Sequence, residues 1–138
     1  MKILGLDLGS KTLGIASSDL SQTVASMVKT ITFPENQFKR AINELKSLID
    51  FSVYEKIVLG LPKNMDGSLG KQAEDTLVFK KMLENHFHLE VVMWDERLTS
   101  KMANSMMITA DLSRKKRKQK VDYVAATIIL QSYLDSRK

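Results

Sequence analysis

The chain contains no cysteine and only two histidines. The first absence removes a disulfide framework, a thiolate zinc site and a cysteine nucleophile, and it fits a reducing compartment. The two histidines, His86 and His88, lie at a helix end without zinc spacing, so they read as surface or boundary residues. No apolar run is long enough to cross a bilayer. A secretory signal is missing too, because Asp7 breaks the only candidate apolar region and no small-residue cleavage site follows. Gly70-Lys71 is followed by Gln72, and Met65 stands where a P-loop needs its first glycine, so that nucleotide-binding motif is excluded. With no linker and no internal repeat, 138 residues of 43% hydrophobic composition predict one cytoplasmic domain with a real core and no membrane contact.

What is present is charge in the wrong places. The formal net charge is +5. Six of the 21 basic residues are Arg114, Lys115, Lys116, Arg117, Lys118 and Lys120, and removing them leaves 15 cations against 16 acids, or −1. The basic excess therefore sits in one short segment. A solvated loop is the bland reading; a localised polyanion contact is the stronger one, since like charges this dense repel unless something offsets them.

Ile3 to Leu8, Leu13 to Ser18 and Val24 to Phe33 read as three strands joined by short links, an antiparallel start. From Pro34, the apolar positions Phe38, Ala41, Ile42, Leu45, Leu48 and Ile49 follow helical spacing. Lys56 to Leu61 reads as a buried strand and Pro62 to Gly70 as a turn-rich link. A helix over Lys71 to His86, a strand over Leu89 to Trp94, a short helix over Thr99 to Ile108 and a closing helix over Val121 to Leu134 complete the pattern. Trp94, after an apolar run, reads as core before it reads as a base-stacking residue. Hairpins followed by alternating helix and strand predict an α/β architecture, a mixed sheet with helices packed on it.

Three acidic sites interrupt this pattern. Asp7 stands inside an apolar strand, Asp95-Glu96 follows another, and Asp122 shares a helical stripe with Ala125, Ala126, Ile129 and Tyr133. Each has an ordinary explanation alone. Asp7 accepts backbone hydrogen bonds, Asp95-Glu96 forms a turn, and Asp122 caps its helix, where negative charge is favourable. Jointly, a buried carboxylate needs a partner or a metal, and acids from distant segments suit magnesium or manganese. In two-ion sites the metals lie roughly 3.5–4 Å apart and clamp the attacking water and the leaving oxygen of a phosphodiester. Lys11 and Arg97, beside the first two acidic sites, are candidate phosphate contacts. The basic segment would then hold the backbone that the acids alone repel.

These residues also carry a family resemblance. Gly5-Leu-Asp-Leu-Gly9 with Gly14-Ile-Ala and Ser18-Asp19, Gly60-Leu-Pro62 with Met65-Asp-Gly-Ser68 and Gly70, Asp95-Glu-Arg-Leu-Thr99, and Ser113-Arg-Lys-Lys-Arg117 leading to Val121-Asp122 resemble the four signature blocks of the YqgF (RuvX) family. The blocks span nearly the whole chain in the expected order. The resemblance implies a ribonuclease H-like fold and a metal-dependent nuclease, one that processes the 5′ end of precursor 16S ribosomal RNA or resolves Holliday junctions. It implies Asp7, Glu96 and Asp122 as catalytic acids, and Asp7, Asp95, Glu96 and Asp122 as ligands of Mg2+ or Mn2+, with two ions expected. Between Asp95 and Glu96 the longer side chain is preferred, because it reaches back from beyond the strand end. Thr12 departs from the family, which commonly carries arginine there.

Two other readings compete. One is a non-catalytic nucleic-acid-binding module in ribosome assembly. The other is an actin-like nucleotide-binding protein, suggested by Asp7-Leu-Gly-Ser-Lys11, although the chain is too short for two lobes. The expected partner is precursor ribosomal RNA or branched DNA, and the expected state a monomer or homodimer.

Overall fold

A computed structural model describes residues 1–62, 68–96 and 114–137, with the backbone alone over 114–124. Among the described residues five strands form one sheet: β1 (Lys2–Leu8), β2 (Thr12–Ser18), β3 (Ala25–Thr32), β4 (Tyr54–Leu61) and β5 (Glu90–Asp95), in spatial order β3-β2-β1-β4-β5. β1 pairs antiparallel with β2 and β2 with β3, whereas β4 lies parallel to both β1 and β5. The hairpin start and the crossover half are both as the spacing predicts. A parallel neighbour needs a helical crossover, and α1 (Phe38–Leu48) and α2 (Lys71–Phe87) supply the two that β4 and β5 require.

Strand alternation divides the side chains between two cores. Leu4, Leu6, Leu8, Leu13, Ile15, Ile57 and Leu59 meet Ala41, Ile42 and Leu45 of α1 and Phe79 and Leu83 of α2. On the opposite face Ile3, Ala16 and Val58 meet Ala126, Ile129, Leu130 and Tyr133 of α3 (Arg114–Ser136). Tyr133 lies near the start of β4, where Lys56 Nζ is 3.3 Å from its hydroxyl, and Ile129 lies near the end of β4, beside Gly60. α3 therefore runs antiparallel to β4 and carries its N-terminal half toward the carboxyl ends of β1 and β4.

Strand ends differ from the sequence reading by one or two residues, and three helix boundaries differ for an identifiable reason. α1 starts at Phe38 rather than Pro34, because Asn36 takes a left-handed conformation (φ 61°) and donates its N–H to Ser10 O at 2.9 Å, holding the preceding residues in a turn. α2 runs to Phe87, where His88 (φ 54°) closes it by donating its N–H to Glu84 O at 3.0 Å, a left-handed C-terminal cap. α3 begins at Arg114, not Val121, so the basic segment is helical. Lysine and arginine are good helix formers, and the absence of apolar periodicity there hid the helix. The helix expected over Thr99 to Ile108 lies outside the described residues.

Candidate active site

Asp7 is the penultimate residue of β1 and, by alternation with Ile3 and Gly5, belongs to the face covered by α3. Glu96 follows β5 on that same face: a Cβ added to Gly60 of β4 would stand 2.9 Å from Glu96 Cγ and 2.6 Å from Ile129 Cδ1. The glutamate thus reaches back across β4 over a position that has no side chain. It arrives at Asp7, and the two carboxyl groups share a hydrogen bond. Asp95 ends β5 opposite Leu61 and contributes repulsion to Glu96 from the alternate position.

Burial, then the hydrogen bond and negative charge of Asp7, then the charge of Asp95, push the Glu96 carboxyl up to about 9. Two oxygen donors brought together against their repulsion, with one proton between them, are a donor set that suits a hard divalent cation. Among the described residues no three metal-ligating side chains converge. Asp122 is the third acid the sequence brings forward, and its side chain lies outside the described residues. Its backbone position removes one simple explanation, since Asp122 is eight residues into α3 and cannot cap its N-terminus.

The loop after Asp7 is clasped from several sides. Gly9 N–H donates to Thr12 O at 2.7 Å, Phe33 N–H to Lys11 O at 2.9 Å, and Gln72 Nε2, at the start of α2, to Leu8 O at 2.8 Å. Lys11 is exposed on this loop at the carboxyl end of β1. Thr12 has its Oγ1 2.8 Å from where a Cβ on Gly9 would stand, so the departure from the family pattern fills space beside that glycine. Arg97 and the side chains of Arg114, Lys115, Lys116, Arg117, Lys118 and Lys120 lie outside the described residues; the backbone places the last six in the first two turns of α3. Gly60 and Gln72 carry roles that sequence reasoning missed. A glycine inside an apolar strand signals a close approach, whereas nothing marked Gln72.

A five-stranded mixed sheet with this strand order, one long helix across the face that holds the acids, and two helices behind defines a ribonuclease H-like protein of the resolvase type. Residues 1–136 match the family model described as "RuvX: Holliday junction resolvase", and the chain belongs to that family. It is 49% identical over 138 residues, all of both chains, to a protein of Geobacillus sp. (strain WCH70) named "Putative pre-16S rRNA nuclease". In fold it is similar to Thermus thermophilus RuvC, with a TM-score of 0.62 at 12% identity over 99% of this chain and 96% of that one. It is also similar to the Fowlpox virus resolvase solved with its Holliday junction DNA, with a TM-score of 0.55 at 14% identity over 99% of each chain.

Proposed function

We propose that the protein is a cytoplasmic, single-domain, metal-dependent nuclease that hydrolyses phosphodiester bonds in structured nucleic acid, with the 5′ end of precursor 16S ribosomal RNA as its substrate. The observation that carries this reading is the Asp7–Glu96 carboxyl pair, gathered from β1 and the end of β5 over Gly60. Membership of the resolvase family and the name of the Geobacillus relative support the reaction and the substrate. No helix among the described residues is long and apolar enough to cross a membrane.

Asp7, Glu96 and Asp122 would hold Mg2+ or Mn2+, with Asp95 beside them. Asp122 stands one turn before Ala126, whose carbonyl lies close to Gly5, and Asp7 lies two residues beyond Gly5 toward the N-terminal end of α3. The helix register supports grouping Asp122 with Asp7. When bound, divalent ions supply Lewis acidity to the phosphate and a water nucleophile at neutral pH. The chain's own groups do the rest. Asp7 and Glu96 fix two donors in place before substrate arrives, and Glu96 would hold a cation in place of the proton it shares with Asp7. A phosphodiester brings negative charge to a site already negative, and the cations of Lys11, Arg97 and Arg114 to Lys120 offset that repulsion along the approach.

The test is manganese-dependent cleavage of a precursor 16S 5′ leader and a four-way DNA junction, side by side, by wild type, Asp7→Asn and Asp122→Asn. RNA cutting lost in both variants is the expected result. Junction cutting alone would move the function to recombination, a reading the family description favours. Binding without cutting of either would leave a ribosome-assembly module.

A further inference from the structure

We propose that Trp94 is the stacking platform for the base next to the scissile phosphate, an assignment that rests on the nuclease reading above. Trp94 is the only tryptophan of the chain. It sits two residues before Glu96 on β5, and like Glu96 it belongs to the α3 face, where it packs with Val92 against the smaller core. Strand geometry separates same-face neighbours by about 7 Å. That is the reach of roughly one nucleotide, so a strand whose phosphate lies at the carboxyl pair brings an adjoining base to the indole.

Position and restraint both suit the role. β5 is the outermost strand of the described sheet, and Trp94 is only half-buried at that margin. Its Nε1 donates to Ser132 Oγ at 3.2 Å, and its ring meets Tyr133 edge-to-face, centroids 5.6 Å apart at 85°. Tyr133 is itself held by the Lys56 Nζ contact to its hydroxyl. The polar edge is thus committed and the ring fixed before any ligand arrives, so stacking costs little further ordering. Beyond the platform, Lys56 Nζ of β4, paired with Glu90 Oε2 at 3.8 Å, and the Arg137 guanidinium lie 5.9 and 5.5 Å from the Tyr133 ring centre, and Arg137 adds positive charge at the end of α3. Every base has a π-face, so such a platform tolerates any sequence, as suits an enzyme that recognises structure.

Because no other tryptophan contributes, the emission of Trp94 reads the contact directly. The Asp7→Asn protein in magnesium is titrated with an end-labelled RNA of the leader sequence and, separately, a labelled four-way DNA junction, following label anisotropy and tryptophan emission together, then with an RNA series carrying one abasic nucleotide at each position. Quenching that tracks binding and disappears for one abasic position beside the cut site is expected. Binding with unchanged emission, or quenching indifferent to every abasic position, overturns the platform and leaves the nuclease reading intact. No anisotropy change with RNA or junction DNA overturns that reading, and the platform with it. In cleavage by otherwise wild-type protein, Trp94→Ala raises KM on the order of tenfold with a smaller change in kcat, and Trp94→Phe restores most of it. Equal losses in both variants with matching falls in Tm would show a packing residue and overturn the proposal.

Discussion

Glu96 binds its proton more tightly in the folded protein than in the unfolded chain, because burial and Asp7 raise its carboxyl to about 9. Folding therefore takes up a proton between the ordinary glutamate range and that value, and stability present at low pH is lost as pH rises through the window. In EDTA, the Tm of wild type should fall between pH 5 and pH 9, by roughly 3–5 °C for each kcal/mol lost. Glu96→Gln should flatten that fall and raise Tm at pH 8. Manganese should raise the Tm of wild type more at pH 8 than at pH 5, because a cation and the proton compete for the same oxygens. Gly60 gives a second test at this scale. Gly60→Ala sets a methyl against Ile129 and Glu96 and should cost about 1–3 kcal/mol. Gly5→Ala meets Leu130 Cβ at 2.7 Å and should cost a similar amount. Only the first displaces Glu96, a carboxylate of the proposed site, so at matched fractions of folded protein kcat should fall further in Gly60→Ala. Of these residues, Asp7 was legible in the sequence because an acid inside an apolar strand has few explanations. Between Asp95 and Glu96 the sequence argues only from reach. That Glu96 shares a face with Val92 and Trp94 is read only once the strand's face is known.

At the scale of the element, α3 is the part least legible beforehand. Its apolar stripe identified the second half, whereas the first two turns are all charge and polar side chains and have no periodicity to read. Those turns place six cations at the end of a helix where the backbone dipole is positive and no acid stands in the first turn, an arrangement that opposes itself electrostatically. A polyanion laid there relieves both the mutual repulsion and the dipole. If all six met duplex phosphates, the slope of log affinity against log salt would approach roughly −5, and neutralising Lys115, Lys116 and Arg117 should flatten it by up to about 2.7. An unchanged slope in fluorescence anisotropy titrations would place the binding surface elsewhere. The strands were easier: hairpin links and apolar runs are local signals, and the expected order of antiparallel then parallel pairing is the one found.

Across the whole molecule, the sheet separates two tasks. The α1–α2 side holds the larger core and, of the candidate acids, by strand alternation only Asp95, while the α3 side holds Asp7 and Glu96. Phe79→Ala, deep in the larger core, should therefore destabilise by about 3–5 kcal/mol yet leave kcat at low temperature near wild type. Melting curves and cleavage rates measured on the same preparations check this. What the sequence could not display is the partition itself, because each strand's alternation says that it has two faces and not which helix will cover which.

The hold of α3 on the sheet also dictates an order in time. The β1–β2–β3 ladder joins near neighbours in the chain, whereas Gln131 of α3 accepts from Ala25 N across 106 residues of sequence. Closing so large a loop is entropically late, and contacts of that separation slow folding. The proposed carboxylates Asp7, Glu96 and Asp122 are spread along the chain that this closure gathers, so a refolding chain should regain its secondary structure before it can cut. Cleavage should therefore return later than far-UV ellipticity when the denatured protein is refolded, and simultaneous recovery would show that the long helix docks with the rest.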